Sequence, residues 1–432
     1  MFFIQIKVYI YERVIEMPQT IIEKIISGHS TNKVYRGEIT VVDVDMVMAT
    51  DTTAPLAIQA FKKMGGKKIW DSEKMVLVID HASPAPNQAI AVLHDLMREF
   101  AAEQNIKLYD VGDGICHQLM IDNHHVRPGQ IVLGADSHTC TYGAVGAFST
   151  GVGSTDLAGA MLTGSTWVKV PETIKIELNG NLQKGVSAKD IILHLVGKLG
   201  IQGATYQAIE FSGETVKAMS LDSRMTLANM VIEMGAKAGL VDMKGLELPY
   251  DYEIVEPDPE AVYSKILHVD VSEIEPQIAA PHSPDNIKSI SEYEGLPIHQ
   301  AFIGSCTNGR LEDLHAAAEI VKGKKINPNV RFIIAPASRK VYIDALADGT
   351  AQTLAEAGAT FLPSGCGPCV GTHQGIPGDG ENVASSTNRN FRGRMGNPNS
   401  FVYLGSPSFV AASALTGKIT NPQSIKEVIE KR

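Results

Sequence analysis

QIVLGADSHT, residues 130–139, decides the fold. A short apolar run ends in an acid, a serine and a histidine, then enters a glycine-bearing turn ahead of a helical pattern near 154–164. The same order recurs along the chain. MVLVID (75–80) precedes a helical pattern over 87–104, and HQAFIGS (299–305) precedes one over 311–322. RFIIAP (331–336) leads into 338–347, and FVYLGSP (401–407) into 408–416. Continuous apolar strands alternating with helices predict an α/β protein whose parallel sheets are covered on both faces. Sites in such sheets lie just beyond the carboxyl ends of the strands. The polar clusters Asp80-His81, Asp136-Ser137-His138 and Ser305-Cys306-Thr307-Asn308 fall at those ends.

The middle of the chain reads differently. PETIKIELNG (171–180) predicts a strand, followed by a helix over 188–199 with Ser187 as its N-cap and a later helix over 224–237. The acidic, proline-bearing stretch 248–260 and PHSPDN (281–286) read as surface connections. Boundaries near 171 and 286 divide the chain into an N-terminal extension (1–16) and three domains (17–170, 171–285 and 286–432). A chain of 432 residues is long enough for that number.

The formal net charge is −10, from 38 basic and 48 acidic residues, which argues against a nucleic-acid partner. No run approaches the roughly 18–20 apolar residues of a membrane-spanning helix. The opening MFFIQIKVYIYERVIEM has neither a basic leader nor a small-residue cleavage site. A cytoplasmic protein with no membrane partner is therefore expected. Five cysteines are too few for a disulfide scaffold of this size.

Three of those cysteines stand in two glycine-rich turns, GSCTNGR (304–310) and SGCGPCVG (364–371). Cys366 and Cys369 have the spacing that lets two thiolates reach one metal centre, and Cys306 follows a separate strand. Four readings are open on spacing alone: unrelated buried thiols, a redox pair, a zinc site with His373 as the nearest fourth ligand, or a 4Fe–4S cluster with one open iron. Asp80-His81 and Asp136-Ser137-His138, with His117 in GICHQ between them, supply carboxylate–imidazole pairs of the kind used for general acid chemistry. Arg389 and Arg394 lie in TNRNFRGRMGNP (387–398), a stretch without acids, as forks for carboxylates. A Lewis-acidic metal, imidazole acids and arginine forks together suit a small polycarboxylate that loses a hydroxyl.

These strings, GSCTN, GCGPC, the DSHT turn and NRNFxGR, resemble the hallmarks of the aconitase superfamily. The likeness runs from about Met17 to the C-terminus and is nearest the large-subunit branch that holds isopropylmalate isomerase and homoaconitase. It implies a three-domain α/β protein with parallel or mixed sheets and one 4Fe–4S cluster, held by Cys306, Cys366 and Cys369 with one iron open. In the family, the residue matching His81 protonates the departing hydroxyl, assisted by that matching Asp80. The matches of His117, Asp136 and His138 surround the iron-bound water and hydroxyl, the match of Glu233 contacts the same hydroxyl with Asn229 nearby, and Asn229 and Ser137 are expected to bind substrate. Arg389 and Arg394 would grip carboxylates, Asn388 would assist at the cluster, Asp51 would lie near the site, and both Asn388 and Asp51 are expected to contact substrate.

Two departures shape the expectation. Full-length aconitases carry a glutamine where this chain has Thr50, which points to the two-subunit branch. The family's mobile fourth domain, bearing the serine that takes the carbon-bound proton, has no candidate before Arg432. A separate small subunit, in a heterodimer or heterotetramer, is expected to supply it. The activity so implied is a hydro-lyase acting on 2-isopropylmalate in leucine biosynthesis, with homoaconitate or a methyl-substituted malate as alternatives. A cluster-based RNA sensor is the remote rival, and the net charge argues against it.

Overall fold

Strand Ile131–Gly134, the centre of the opening stretch, lies inside a five-stranded sheet of the computed structural model, which describes residues 17–425. The order is Lys107–Tyr109, Met75–Val78, Met46–Thr50, Ile131–Gly134 and Phe148–Gly151, every pair parallel. The expected extension 1–16 lies outside the described residues. Every residue of the three central strands is buried, as two-sided cover demands. Side chains alternate between two cores. Val47, Ala49, Leu77 and Leu133 pack with helices Ala54–Lys63, Gln88–Gln104 and Ser154–Thr163, whose Phe61, Phe100 and Leu157 join them. Met46, Met48, Val76, Val78 and Val132 face the opposite core. A slip of one residue in any strand would exchange the two sets, so the register is firmly specified.

The second core is shared. It takes Ile174, Ile176 and Phe211 from a four-stranded parallel sheet, ordered Ala238–Val241, Ala208–Ser212, Thr173–Asn179 and Lys265–Asp270, and Ile191 from helix Ala188–Leu199. It also takes Phe302, Val383 and Leu404 from a seven-stranded mixed sheet. That third sheet runs Ile287–Ser289, Gln277–Ala279, Phe401–Leu404, Asn382–Ser385, Gln300–Ile303, Arg331–Ile334 and Thr360–Phe361. Its first two strands pair antiparallel and the remaining five are parallel. At about 1.5–3 kcal/mol per fully buried large apolar side chain, this common core fixes the three sheets against one another.

Local structure mostly follows the sequence. Ser187 caps helix Ala188–Leu199 with Asp190 completing the capping box. The helix expected over 224–237 instead spans Leu221–Asn229 and tightens into a 3-10 turn, Met230–Met234, closed by Gly235 at φ 82°. Only a residue that tolerates the left-handed region ends the helix there. That tightening turns Glu233 back toward the first sheet, where His138 meets it. Among the described residues no helix is long and apolar enough to cross a membrane.

Candidate active site

Backbone geometry builds the site before any side chain does. Asp51, just after strand Met46–Thr50, accepts the N–H groups of Asp80, His81 and Ala82 at 3.2, 2.9 and 2.8 Å. His94, from helix Gln88–Gln104, stands 3.3 Å from the second of its oxygens. Burial acts to raise the Asp51 carboxyl, but His94, His81 and these N–H groups outweigh it and hold it far below the usual carboxylate range. Asp51 therefore does not line the cavity, contrary to the expectation of a substrate contact. Its four bonds are spent on the loop that carries His81.

The cysteine turns are docked by the same means. Cys366 donates its N–H to the Asp80 carbonyl at 2.9 Å. Ser305, one residue before Cys306, is held at φ 74°, a region that non-glycine residues seldom occupy and that recurs at functional sites. Gly371 at φ 73° lets the SGCGPCVG turn meet the arginine-bearing loop, because a Cβ there would lie 2.3 Å from the Gly396 nitrogen.

These loops converge on one cavity of about 270 Å³. His81, His117, Asp136, Ser137, His138, Cys306, Cys366, Cys369, Asn388, Arg389 and Arg394 all line it, and Thr52, Ile115, Ser305, Val370 and Thr372 complete the wall. Asp80, Asn229 and Glu233 sit behind it as partners. Asp80 receives His81 Nδ1 at 2.7 Å and the Cys116 N–H at 2.7 Å. Glu233 pairs with His138 Nε2 at 2.9 Å and with Arg389 Nε at 2.8 Å. Asn229 donates to Cys306 Sγ at 3.2 Å.

Asp136 is the electrostatic centre. His117 Nε2 is 2.7 Å from one of its oxygens, His81 Nε2 is 3.5 Å from the other, and the His138 N–H binds at 2.8 Å. Burial would raise Asp136, yet the three histidines hold it well below its ordinary value. Burial would lower His81, yet Cys366, Asp80 and Asp136 hold it well above. The surroundings thus favour the imidazolium form of His81, on the cavity wall and between two carboxylates. Burial also acts to lower Arg394, and Cys369 raises it instead. Its Nε is buried without a hydrogen-bond partner.

Each cysteine is buried and none is in a disulfide. Burial pushes the Cys306 thiol up to about 12 and drives Cys366 higher still, which opposes the reactive thiolate of a redox pair. His373, the zinc reading's fourth ligand, spends its ring nitrogens on Thr372 Oγ1 and the Ser83 carbonyl. Among the described residues one triad, Asp80, His81 and Cys366, has ligand atoms all within 4.8 Å. Two of its members already bond each other. Cys306, Cys366 and Cys369 all border the same cavity.

A match to the aconitase family (aconitate hydratase) covers residues 23–250 and 288–417. The chain belongs to the aconitase family. It is 49% identical over 415 residues to the 3-isopropylmalate dehydratase large subunit 1 of Methanopyrus kandleri, covering 94% of this chain and 99% of that relative. A probable methanogen homoaconitase large subunit from Methanosarcina mazei is 50% identical over 391 residues, covering 89% and 99%. Among solved structures, holo aconitase X from Thermococcus kodakaraensis shares the fold at a TM-score of 0.52 and 12% identity, covering 90% of each chain.

Sequence reasoning missed His94. Its signal was weak, a histidine on an ordinary amphipathic helix 43 residues from the aspartate it touches.

Proposed function

We propose that this chain is the large subunit of a 3-isopropylmalate dehydratase, interconverting 2- and 3-isopropylmalate by elimination and re-addition of water. The observation that carries the reading is the cavity itself, which gathers three buried cysteines, His81 paired with Asp80, and two arginines. Full-length similarity to relatives of that name supports it. The three larger sheets are read as the cores of three domains, and the border before the third falls between 270 and 277, ahead of the expected 286, because strand Gln277–Ala279 pairs into the third sheet.

Cys306, Cys366 and Cys369 would hold a 4Fe–4S cluster. The donor set fits: three buried cysteines border one cavity, and amide or guanidinium N–H groups of Asn229, Asn388 and Arg394 face the Cys306 and Cys369 sulfurs. When bound, the cluster supplies a Lewis-acidic iron that draws electrons from a hydroxyl and a carboxylate.

The protein's own groups do the rest. Arg394, with its unpartnered Nε, and Arg389, braced by Glu233 and Ser137, hold carboxylates. His81 gives its proton to the departing hydroxyl, which leaves as water, while Asp80 fixes the ring through Nδ1. Loss of the carbon-bound proton to a base leaves the alkene, and the reverse steps at the neighbouring carbon complete the isomerisation. That base is assigned to a small subunit, as the relatives' designation "large subunit" suggests. Homocitrate-type substrates are the second reading, supported by the similarity to a homoaconitase large subunit. The test is turnover of a panel of alkyl and carboxyalkyl malates by the chain reconstituted with its small subunit. Preference for 2-isopropylmalate supports the assignment, and preference for a carboxyalkyl substrate replaces it with the homoaconitase reading.

A further inference from the structure

Two fully buried cations sit behind the cysteine loops with no carboxylate in ion-pair range among the described residues. Lys189 donates from Nζ to the Ser386 and Thr387 carbonyls at 2.8 and 2.7 Å. Arg310 donates to the Cys306 carbonyl at 2.5 Å and the Thr307 carbonyl at 2.6 Å, and also to the Asp222 carbonyl and Thr226 Oγ1. Ser386 and Thr387 lead directly into Asn388 and Arg389. One cation therefore ties down the loop of Cys306, and the other ties down the loop whose Asn388 donates to the Cys306 sulfur at 3.5 Å.

Both cations occupy unfavourable places. Lys189 is in the first turn of helix Ala188–Leu199 and Arg310 is the N-cap of helix Leu311–Val321, where the helix dipole repels positive charge. Burial adds to the cost and pushes Lys189 down to about 7, against Asp313, Asp190 and the Cys306 and Cys369 sulfurs, which favour its charge; an unpaired buried charge is kept only when something nearby compensates it. The acids of the same first turns do so poorly. Asp190 is occupied by Ser187 and Gln277, Asp313 by Asn308 and the Arg310 N–H, and burial pushes them up to about 6 and about 7. Arg224 shows the contrast: equally buried, it bonds the Val216, Met219 and Lys244 carbonyls and meets no cysteine loop.

We propose that Lys189 and Arg310 are positioning residues of the cysteine site, holding the Cys306 and Asn388 loops together and supplying the positive charge that offsets an anionic, thiolate-ligated group. The proposal rests on the cluster reading given above. Three thiolates carry more negative charge than the iron–sulfur core neutralises, and the compensating charge comes from beneath the loops, on the side away from substrate.

The test uses the full chain with its small subunit, loaded anaerobically with iron and sulfide. Lys189→Gln and Arg310→Gln each remove one charge and keep a donor. Iron content and the cluster's reduction midpoint potential are the readouts, since a purely structural role would not move the potential. Both variants are expected to show a lowered midpoint potential, because loss of nearby positive charge disfavours the reduced state, and Arg310→Lys is expected to restore it. Arg224→Lys is expected to leave the potential unchanged. Folded Gln variants that hold no iron while Arg310→Lys holds it also support the proposal. Wild-type potential in iron-loaded Gln variants overturns it, as does an equal shift in Arg310→Lys and Arg310→Gln. If Arg310→Gln fails to fold, Lys189→Gln, on a separate helix, carries the test alone. An unsubstituted chain that loads no cluster overturns the functional reading, and is told apart because it is seen without any substitution.

Discussion

Asp51→Asn replaces one carboxylate oxygen with an NH₂ group and changes almost nothing in size. In the native loop, one Asp51 oxygen accepts the Asp80 and His81 N–H groups and the other accepts from Ala82 and pairs with His94. An asparagine keeps the first pair and turns a donor toward the Ala82 N–H. His94 can answer by changing tautomer, but the Ala82 N–H cannot. One buried donor is then orphaned, at about 1–3 kcal/mol, and the remaining bonds lose charge assistance of about 1 kcal/mol. The sum is roughly 2–4 kcal/mol. Because the loop positions His81, part of that loss appears as reduced activity, on the order of a hundredfold in kcat/KM when about 2.7 kcal/mol is felt at the transition state. Urea unfolding and steady-state kinetics of the two-subunit enzyme measure the two parts. A variant within about 0.5 kcal/mol of wild type in stability and with full activity would refute the anchoring role.

Other perturbations probe separate features. Cys366→Ala is expected to abolish iron loading while the fold persists by circular dichroism, and full iron content in that variant would contradict the ligand assignment. Arg394→Lys should raise KM for substrate by roughly ten- to a hundredfold with iron content unchanged, since a point charge replaces a planar fork; an unaltered KM would remove Arg394 from carboxylate binding. Burial raises Glu210 from 4.5 to about 7, against bonds from Tyr263 and the Ile22 N–H. The folded state then holds a proton that the unfolded state releases, so stability falls as pH rises from about 4.5 to 7, by about 3 kcal/mol. Glu210→Gln should flatten that slope in urea titrations, and an unchanged slope would assign it to other groups. Asp51 acts with the opposite sign: its depressed carboxyl contributes stability above about pH 4 that is lost as pH falls further.

Much of the fold was legible because doubly covered parallel strands must be apolar throughout. Met75–Val78, Ile131–Gly134 and Arg331–Ile334 announce themselves by that run. The strand Met46–Thr50 is as deeply buried, yet MVMAT runs on from ITVVDVD without a turn signal of its own. The cavity wall was legible for a different reason, since its residues follow strands in glycine-flanked turns. What lies one layer behind was not. His94 and Lys189 are on helices whose pattern reads as ordinary, and their partners are 43 and about 200 residues away in the chain. Arg310 lies inside a quoted motif, but only the fold shows that its guanidinium turns back onto the Cys306 carbonyl.

The most direct test of the central claim is the metal and sulfide content of the anaerobically purified chain, read with its visible spectrum. Iron and inorganic sulfide are expected in equal amounts, with broad absorbance at about 400 nm, as for a thiolate-held iron–sulfur cluster. Colourless protein with a single zinc and no sulfide would contradict it.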